Sequence, residues 1–372
     1  MINWIKPMLL ILVSIIILLL VAGCIVTNQS SFGKKSTGKR LDRIKASPHY
    51  KDGAFHNLEE TSQFAEDISV TGIFWKMLTQ RRKDKKPKQA IKSEKTDLHQ
   101  LSVDENVLIW MGHSTYFIQL DGKRFLIDPV FSGYAGPFSF MNHSFEGSDI
   151  YKVEDIPKID YLIITHDHWD HLDYNTVKKL FPKVEKSITG LGTGAHLEYW
   201  GQDSQKIIEL DWFEKADLGN GFRISGEPAR HFSGRGLRRN GTLWMSFVLE
   251  SPTQRIYIGG DSGYGKHYSE IGNRYDSIDL AILETGQYSN NWPYIHLLPG
   301  EHQQVIKELK AKRFLPVHNS KFSLSQHAWN DPLVETLKQN SSDIKILTPQ
   351  IGEKLIWVND EKEYQKWWEE LE

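Results

Sequence analysis

The chain has 372 residues, of which 40% are hydrophobic and 12% aromatic, enough apolar material for a large buried core. A formal net charge of −2 gives no global argument for a nucleic-acid partner, and none is expected. The single cysteine excludes an intrachain disulfide, so cysteine usage does not decide the compartment. The simplest interpretation is one large α/β domain behind an N-terminal extension.

The first predicted element is an apolar run over residues 8–24, inside a stretch without charge over residues 7–33. Such a run predicts a signal peptide or a membrane anchor at residues 1–24. It ends in Val-Ala-Gly-Cys, which resembles the lipobox in which a cysteine, here Cys24, is lipidated. We therefore expect a cell-membrane lipoprotein facing outside the cytoplasm. The alternative is an uncleaved single-pass anchor with a cytoplasmic domain, which the six basic residues at positions 34–45 favour.

Residues 25–102 are predicted to form a basic tether and an N-terminal segment ahead of the catalytic domain. Residues 76–95 carry nine basic side chains against two acidic ones. Near a membrane this run would hold anionic lipid head groups, at about 1 kcal/mol per basic residue. A solvated flexible loop is the alternative. Phe74 and Trp75, just before the run, favour the membrane interface.

The catalytic domain is predicted at residues 103–372 and begins with three strands, at residues 107–110, 116–120 and 124–127. Asp121-Gly122 predicts a hairpin turn between the last two strands. The strand at residues 162–165 is almost continuously apolar, which suits a sheet covered on both faces. Asp173 is a predicted N-cap for the helix that follows it.

Four potential metal ligands lie in the turn between that strand and that helix: His166, His168, Asp170 and His171. The two histidines at positions 166 and 168 can point to the same side of an extended segment, while the other two ligands can reach a second position. Imidazole nitrogens with a carboxylate suit zinc. A polar turn that is merely rich in histidine is the alternative, but four ligands within six residues favour a binuclear metal site.

A further carboxylate, Asp261, follows a later predicted strand. Gly259 and Gly260 allow a sharp turn, so that the carboxylate of Asp261 can project beyond its strand. The glycines at positions 190, 192 and 194 are spaced like part of a nucleotide-binding loop. They lack a preceding predicted strand and a following acidic residue, so a nucleotide site is rejected.

The order His-x-His-x-Asp-His, followed by His, Asp and His, resembles the signature of the metallo-β-lactamase superfamily. Residues 47–61, the run Gly-His-Ser-Thr at 112–115 and the run Asp-Pro-Val-Phe at 128–131 resemble one branch of it. That branch includes N-acylphosphatidylethanolamine-hydrolysing phospholipase D and its bacterial relatives. The resemblance implies an α/β fold, the four-layer αβ/βα sandwich, with two Zn²⁺ ions at one edge; Mn²⁺ or Fe would also suit the ligands.

The resemblance also implies roles for the site residues. One metal would be bound by His166, His168 and His231, the other by Asp170, His171 and His318, with Asp261 bridging the two. The candidate catalytic residues are Asp170, His113 and His296. By the resemblance His113 lies beside the metals and His296 touches substrate, where it could protonate a leaving oxygen. A purely structural role is the alternative for both histidines, and Asp128 is expected to support the metal-binding loop by hydrogen bonding.

The expected function is a zinc-dependent phosphodiesterase of the phospholipase D type that acts on N-acylphosphatidylethanolamine-like lipids. Two metals would lower the pKa of bound water enough to supply a nucleophile. The alternative is a hydrolase of a lactone, a β-lactam or another ester or amide, and a hydrophobic groove beside the metals would favour the lipid. A third possibility is a non-catalytic, membrane-tethered metal-binding module. The expected partners are a phospholipid or other small ester and the membrane, and the sequence does not determine the oligomeric state.

Overall fold

The computed structural model describes residues 5–65, 69, 71–72, 84–236, 238–340, 344–358 and 362–371. The expectations for Phe74, Trp75 and the first half of the basic run fall outside these residues. The chain begins with helix α1 (Ile5–Thr27). Its segment Pro7–Thr27 is long and apolar enough to cross a membrane, by length and composition only, and none of it is buried. A signal sequence would pass the same test.

Residues that were predicted to be a tether contact the rest of the protein. They contain helix α2 (Gly38–Ala46), which is followed by a hairpin of β1 (Tyr50–Lys51) and β2 (Ala54–Phe55). Arg40 of α2 forms ion pairs of 2.6 Å with both Glu198 and Glu209. The tether interpretation did not anticipate these contacts, and where the domains begin and end stays a prediction.

The remaining strands follow in chain order: β3 (Val107–Trp110), β4 (Tyr116–Leu120), β5 (Lys123–Ile127), β6 (Ile159–Ile164), β7 (Val184–Gly190), β8 (Ile207–Leu210), β9 (Lys215–Gly219), β10 (Phe222–Glu227), β11 (Ser246–Glu250), β12 (Arg255–Ile258), β13 (Leu280–Glu284), β14 (Arg313–Val317), β15 (Lys345–Ile346) and β16 (Lys354–Leu355). The helices among them are α3 (Tyr174–Leu180), α4 (Gly194–Tyr199), α5 (His267–Tyr275), α6 (Glu301–Glu308) and α7 (Asp331–Lys338).

These strands form two seven-stranded sheets, in the orders β16-β3-β4-β5-β6-β7-β8 and β15-β14-β13-β12-β11-β10-β9. In the first sheet β5, β6, β7 and β8 run parallel, and in the second β12, β13, β14 and β15 do. The other pairings in each sheet are antiparallel. Within the two parallel blocks, β6 and β13 are covered on both faces, and both are almost continuously apolar.

Alternate side chains of the strands build three cores. Ile163 from β6 and Ile258 from β12 belong to the core between the two sheets. The neighbouring Leu162 faces the other way, into a core with Val177 of α3. Tyr257 likewise joins a core with α5 and α6. The period of two along each strand thus produces the four layers of the αβ/βα sandwich that the resemblance implied.

The strand before the glycines at positions 190, 192 and 194 was missed, and the statement that they lack one is wrong. β7 leads directly into them and α4 follows. The structure explains the glycines by packing, because a Cβ at Gly190 would lie 2.1 Å from the carbonyl oxygen of Leu243. A Cβ at Gly194 would lie 2.6 Å from Cδ of Glu209. The glycines therefore let the chain pass close to its neighbours.

Candidate metal centre

The predicted ligands gather where the parallel strands of both sheets end. The His166 cluster follows β6 of the first sheet, whereas Asp261 follows β12 and His318 follows β14 of the second. Since parallel strands end at the same edge of a sheet, their loops meet there. The two sheets are joined at this edge, because the amide of His318 donates to the carbonyl of His113 and the amide of His113 donates to the carbonyl of Asn319, both at 2.9 Å.

One cluster contains His166, His168, His231 and Asp261, whose ligand atoms lie within 4.8 Å of one another. Nδ1 of His168 is 2.9 Å from Nε2 of His166 and 3.2 Å from Nε2 of His231. Tetrahedral zinc with bonds of 2.0–2.1 Å would separate its ligand atoms by about 3.3 Å. The three nitrogens therefore have the spacing of a metal-binding set. The carbonyl of Ile295 accepts a hydrogen bond from Nδ1–H of His231 at 2.7 Å, so the proton is on Nδ1 and Nε2 is free to bind a metal.

The second cluster contains His113, Asp170, His171 and His318. Nε2 of His171 lies 3.6 Å from Oδ2 of Asp170 and 3.3 Å from Oδ2 of Asp261. The other oxygen of Asp261, Oδ1, lies 3.2 Å from Nδ1 of His318. Asp261 thus lies between the two clusters, as a bridging carboxylate would.

The donor set fits a pair of divalent metal ions. Nε2 of His171 and Oδ1 of Asp261 are buried and have no hydrogen-bond partner within the described ranges. Buried polar atoms are costly to leave unpaired, and a cation between the clusters would satisfy both. Burial and the surrounding imidazoles also hold the pKa of His166 well below its usual range. It is therefore neutral near pH 7, the form that binds a metal.

Asp128 supports residues 166–171, the segment that we call the ligand loop, by hydrogen bonding. Its carboxylate accepts hydrogen bonds from the amide and the hydroxyl of Thr165, at 2.8 and 2.7 Å. The same carboxylate lies 2.8 Å from Nδ1 of His171. The proton of His171 is thereby placed on Nδ1, and Nε2 faces the cluster. This geometry agrees with the supporting role expected for Asp128.

The two other candidate histidines differ in exposure. His113 is fully buried, with Nε2 2.8 Å from Oδ2 of Asp170, so it orients that carboxylate and does not reach the solvent side. His296 lines an open cavity above the clusters, and its Nδ1 lies 2.5 Å from Oε2 of Glu284. The backbone amides of Ser262 and Leu297 donate to the other oxygen of Glu284. Glu284 thus holds the imidazole of His296 in place.

Sequence reasoning missed two residues beside the site, Glu284 and His196. A carboxylate at the end of the apolar strand Leu280–Glu284 was a signal that could have been used. No local signal pointed to His196. Its Nε2 lies 3.3 Å from Oδ2 of Asp167, the residue between two predicted ligands, and its Nδ1 accepts the backbone N–H of Lys34 at 2.8 Å. The ligand loop is therefore connected to residues just after α1.

The cavity above the clusters has a volume of about 220 Å³. Its floor is formed by predicted ligands and by His296. Its remaining wall is mainly apolar, with these hydrophobic side chains: Phe64, Phe232, Trp292, Ile295 and Leu324. A substrate with both a polar reacting group and an apolar portion would suit this combination.

Comparison with known proteins agrees with this architecture. Residues 123–319 match a family model described as the beta-lactamase superfamily domain. The chain is 33% identical over 314 residues to an uncharacterized protein of Mycobacterium tuberculosis, a match that covers 83% of this chain and 84% of that protein. It is 27% identical over 342 residues to N-acyl-phosphatidylethanolamine-hydrolyzing phospholipase D 1 of Caenorhabditis elegans, covering 85% of this chain and 95% of the relative.

A solved structure shares the fold. It is a metallo hydrolase from the archaeon Ignicoccus hospitalis, which aligns with a TM-score of 0.52 at 20% identity and covers 68% of this chain and 98% of its own. At this identity the likeness concerns the fold alone. Together with the family match and the converging ligands, it leads to one conclusion: this chain belongs to the metallo-β-lactamase superfamily and is a metal-dependent hydrolase.

Proposed function

We propose that this hydrolase is a membrane-associated phosphodiesterase of the phospholipase D type, which cleaves N-acylphosphatidylethanolamine-like lipids with two divalent metals, zinc being the expected pair. The observation that carries the proposal is the apolar wall beside the candidate metal centre. A lipid needs such a surface for its acyl chain, whereas a sugar lactone does not. Trp292 and Phe232 in this wall supply large apolar surfaces beside His296 and His231.

The residues at the floor of the cavity have the chemistry for phosphodiester cleavage. Bound divalent metals would supply Lewis acidity and a water of lowered pKa. His296 is positioned to hand a proton to the leaving oxygen of the ethanolamine moiety. Oε2 of Glu284 lies 2.5 Å from Nδ1 of His296 and holds the ring in place for that transfer, while burial lowers the pKa of the histidine. The products would be an N-acylethanolamine and a lipid phosphomonoester.

Two further observations support a lipid substrate. The relative from Caenorhabditis elegans, which the match covers over 95% of its length, is named for hydrolysis of N-acylphosphatidylethanolamine. An N-terminal anchor, either a lipid on Cys24 or an uncleaved helix α1, would hold the enzyme at the surface that contains such lipids. Lipidation of the exposed Cys24 and an orientation facing outside the cytoplasm are part of this proposal. A single-pass anchor with a cytoplasmic domain is its alternative.

The test is an assay of the full-length, detergent-solubilised protein loaded with zinc. Release of N-acylethanolamine from N-acylphosphatidylethanolamine is measured beside turnover of a generic phosphodiester and a panel of lactones and β-lactams. We expect lipid turnover that is lost in Asp261→Asn. The matched control is Asp203→Asn, which alters an exposed carboxylate that accepts the amide of Gln205 far from the metal centre. Turnover of a lactone or lactam alone would overturn the lipid substrate, and no turnover at all would favour a non-catalytic module.

A further inference from the structure

A second groove lies on the other side of the ligand loop. A cavity of about 520 Å³ is enclosed between residues 27–50 and residues 234–242. A neighbouring cavity of about 590 Å³ shares five lining residues with it: Lys35, Ser36, Leu41, Tyr50 and Arg238. We call the two together the N-terminal groove. None of its lining residues belongs to the cavity above the metal clusters.

The N-terminal groove is strongly cationic. Six basic side chains line it: Lys34, Lys35, Lys45, Lys51, Arg235 and Arg238. They face only two carboxylates, Asp52 and Asp167. Asp167 is already engaged, since its Oδ1 accepts the amide of Gly234 at 2.7 Å and its Oδ2 lies 3.3 Å from His196. The groove therefore has an excess of positive charge, which favours an anionic ligand.

Two buried polar atoms in the groove have no partner. Arg235 is 4% exposed and Thr242 is 5% exposed, and Nη2 of the arginine and Oγ1 of the threonine make no hydrogen bond with any described residue. The rest of the guanidinium is fixed, because Nη1 donates to the carbonyls of Asp167 and Leu172 and Nε donates to that of Ser31. The guanidinium also lies over the ring of Trp169, 3.9 Å from its centroid. Arg235 is therefore a fixed positive charge behind the exposed cations Lys34, Lys35 and Arg238 of the groove, and these cations are suited to a phosphate.

The position of the groove identifies where such a phosphate would come from. Thr27, the last residue of α1, and Asn28 both line it. The groove thus opens within a few residues of Cys24, next to either form of the proposed membrane anchor and therefore beside lipid head groups. Leu41 and Ile44 of α2 line the same cavity and offer apolar contact for the glycerol backbone and the first acyl carbons.

We propose that the N-terminal groove binds the phosphate head group of an anionic phospholipid, separately from the substrate. The inference rests on the membrane association in the proposed function. A phosphate there would lie near the charge of Arg235, whose Nη1 also holds the backbone carbonyl of Asp167 between two predicted ligands. Occupancy of the groove would therefore stiffen the ligand loop, and anionic membranes would increase turnover.

The test counts bound lipid by native mass spectrometry of the full-length protein in detergent, with phosphatidic acid as the probe and phosphatidylcholine as the neutral comparison. We expect one phosphatidic acid to be retained. The double variant Lys35→Ala/Arg238→Ala removes two cations from the groove, and loss of charge-assisted contacts of about 1.5 kcal/mol would lower retention about tenfold. The matched control is Lys186→Ala, an exposed lysine outside the groove. If the double variant misfolds, Lys35→Ala alone is measured instead. This lysine forms no ion pair among the described residues, so its loss should not disturb the fold.

Two outcomes would overturn the inference. If Trp292→Ala abolishes retention while the groove variants do not, the lipid is in the cavity above the metals. If inorganic phosphate is retained and phosphatidic acid is not, the groove takes free phosphate and not a lipid. Lipid retention is measured independently of hydrolysis. A protein that hydrolyses no lipid can therefore still bind phosphatidic acid in the groove, and an active phospholipase can lack this binding.

Discussion

Gly33 lies against the imidazole of His196 so closely that a Cβ at position 33 would be 2.1 Å from Nδ1. Its φ of 78° is also a conformation that other residues rarely adopt. We expect Gly33→Ala to displace His196, to loosen the ligand loop through Asp167, and to lower the free energy of unfolding by about 2–4 kcal/mol from backbone strain and overpacking. Urea unfolding and zinc-dependent turnover would both report the change.

Gly38→Ala is the matched control for that variant. Gly38 also has a positive φ, of 55°, but nothing lies within 4 Å of the Cβ it would gain. It would therefore carry only the backbone cost, about 1 kcal/mol, with turnover retained. Equal effects of the two variants would show that the contact between Gly33 and His196 does not matter.

Asp128→Asn removes the carboxylate that fixes the tautomer of His171. An amide can present its N–H₂ group to Nδ1, which would favour the wrong tautomer and turn a protonated Nε2 toward the cluster. We expect metal affinity to fall about 10–100-fold, as measured by competition with a chelator. Asp160→Asn is the control, because Asp160 lies near the start of β6, at the end away from the metal ligands, and accepts the amide of Arg124. Unchanged affinity in Asp128→Asn would contradict the supporting role.

His296→Gln removes the side chain proposed to move a proton. We expect kcat to fall about 10²–10⁴-fold, with a smaller change in KM because the apolar wall of the cavity is intact. Glu284→Gln would give a smaller loss of kcat and an altered pH profile, since the imidazole loses its carboxylate partner. His143→Gln changes an exposed histidine elsewhere and should leave the rate unchanged. A rate unaffected by His296→Gln would assign this residue a structural role.

Metal removal is expected to lower thermal stability as well as turnover, because the ligands come from loops of both sheets. A metal present at 100 times its dissociation constant stabilises the folded state by about 2.7 kcal/mol. Dialysis against a chelator, followed by titration with Zn²⁺, Mn²⁺ or Fe²⁺, would show which ion restores the melting temperature. His231→Ala loses one nitrogen of the first cluster and would shrink this response. Identical melting curves with and without metal would exclude a metal clamp between the sheets.

Stability is expected to fall with pH below about 6.5 through His302. Burial lowers the pKa of this histidine to about 4 in the folded protein. Between pH 6.5 and pH 4 this histidine is protonated in the unfolded chain but stays neutral in the folded protein. The free energy of unfolding therefore falls by up to about 1.4 kcal/mol for each pH unit by which the pH is lowered. His302→Gln would reduce that slope in urea unfolding at pH 7 to 4.5, whereas the exposed His56→Gln would not. An unchanged slope in His302→Gln would refute this linkage.

The sequence predicted the buried strands because short apolar runs mark them, as in Leu280–Glu284 and Arg313–Val317. It missed Val184–Gly190, where the exposed Glu185 and Lys186 interrupt the apolar pattern. The metal ligands could be predicted from the sequence because their order and spacing are specific. The pairing of Glu284 with His296 and of Lys34 with His196 could not, since each depends on how distant loops meet.

The contact between the ligand loop and the residues after α1 limits how far the protein can be truncated from its N-terminus. Phe32 packs edge-on against Trp169, with ring centroids 5.1 Å apart, and Ser31 accepts a hydrogen bond from Arg235. Removal of the chain up to residue 36 would uncover that tryptophan and leave Nε of the arginine without its acceptor. A water-soluble form should therefore begin at Asn28 or Gln29. That truncation removes the apolar helix and keeps the contacts of Ser31 and Phe32 with Arg235 and Trp169.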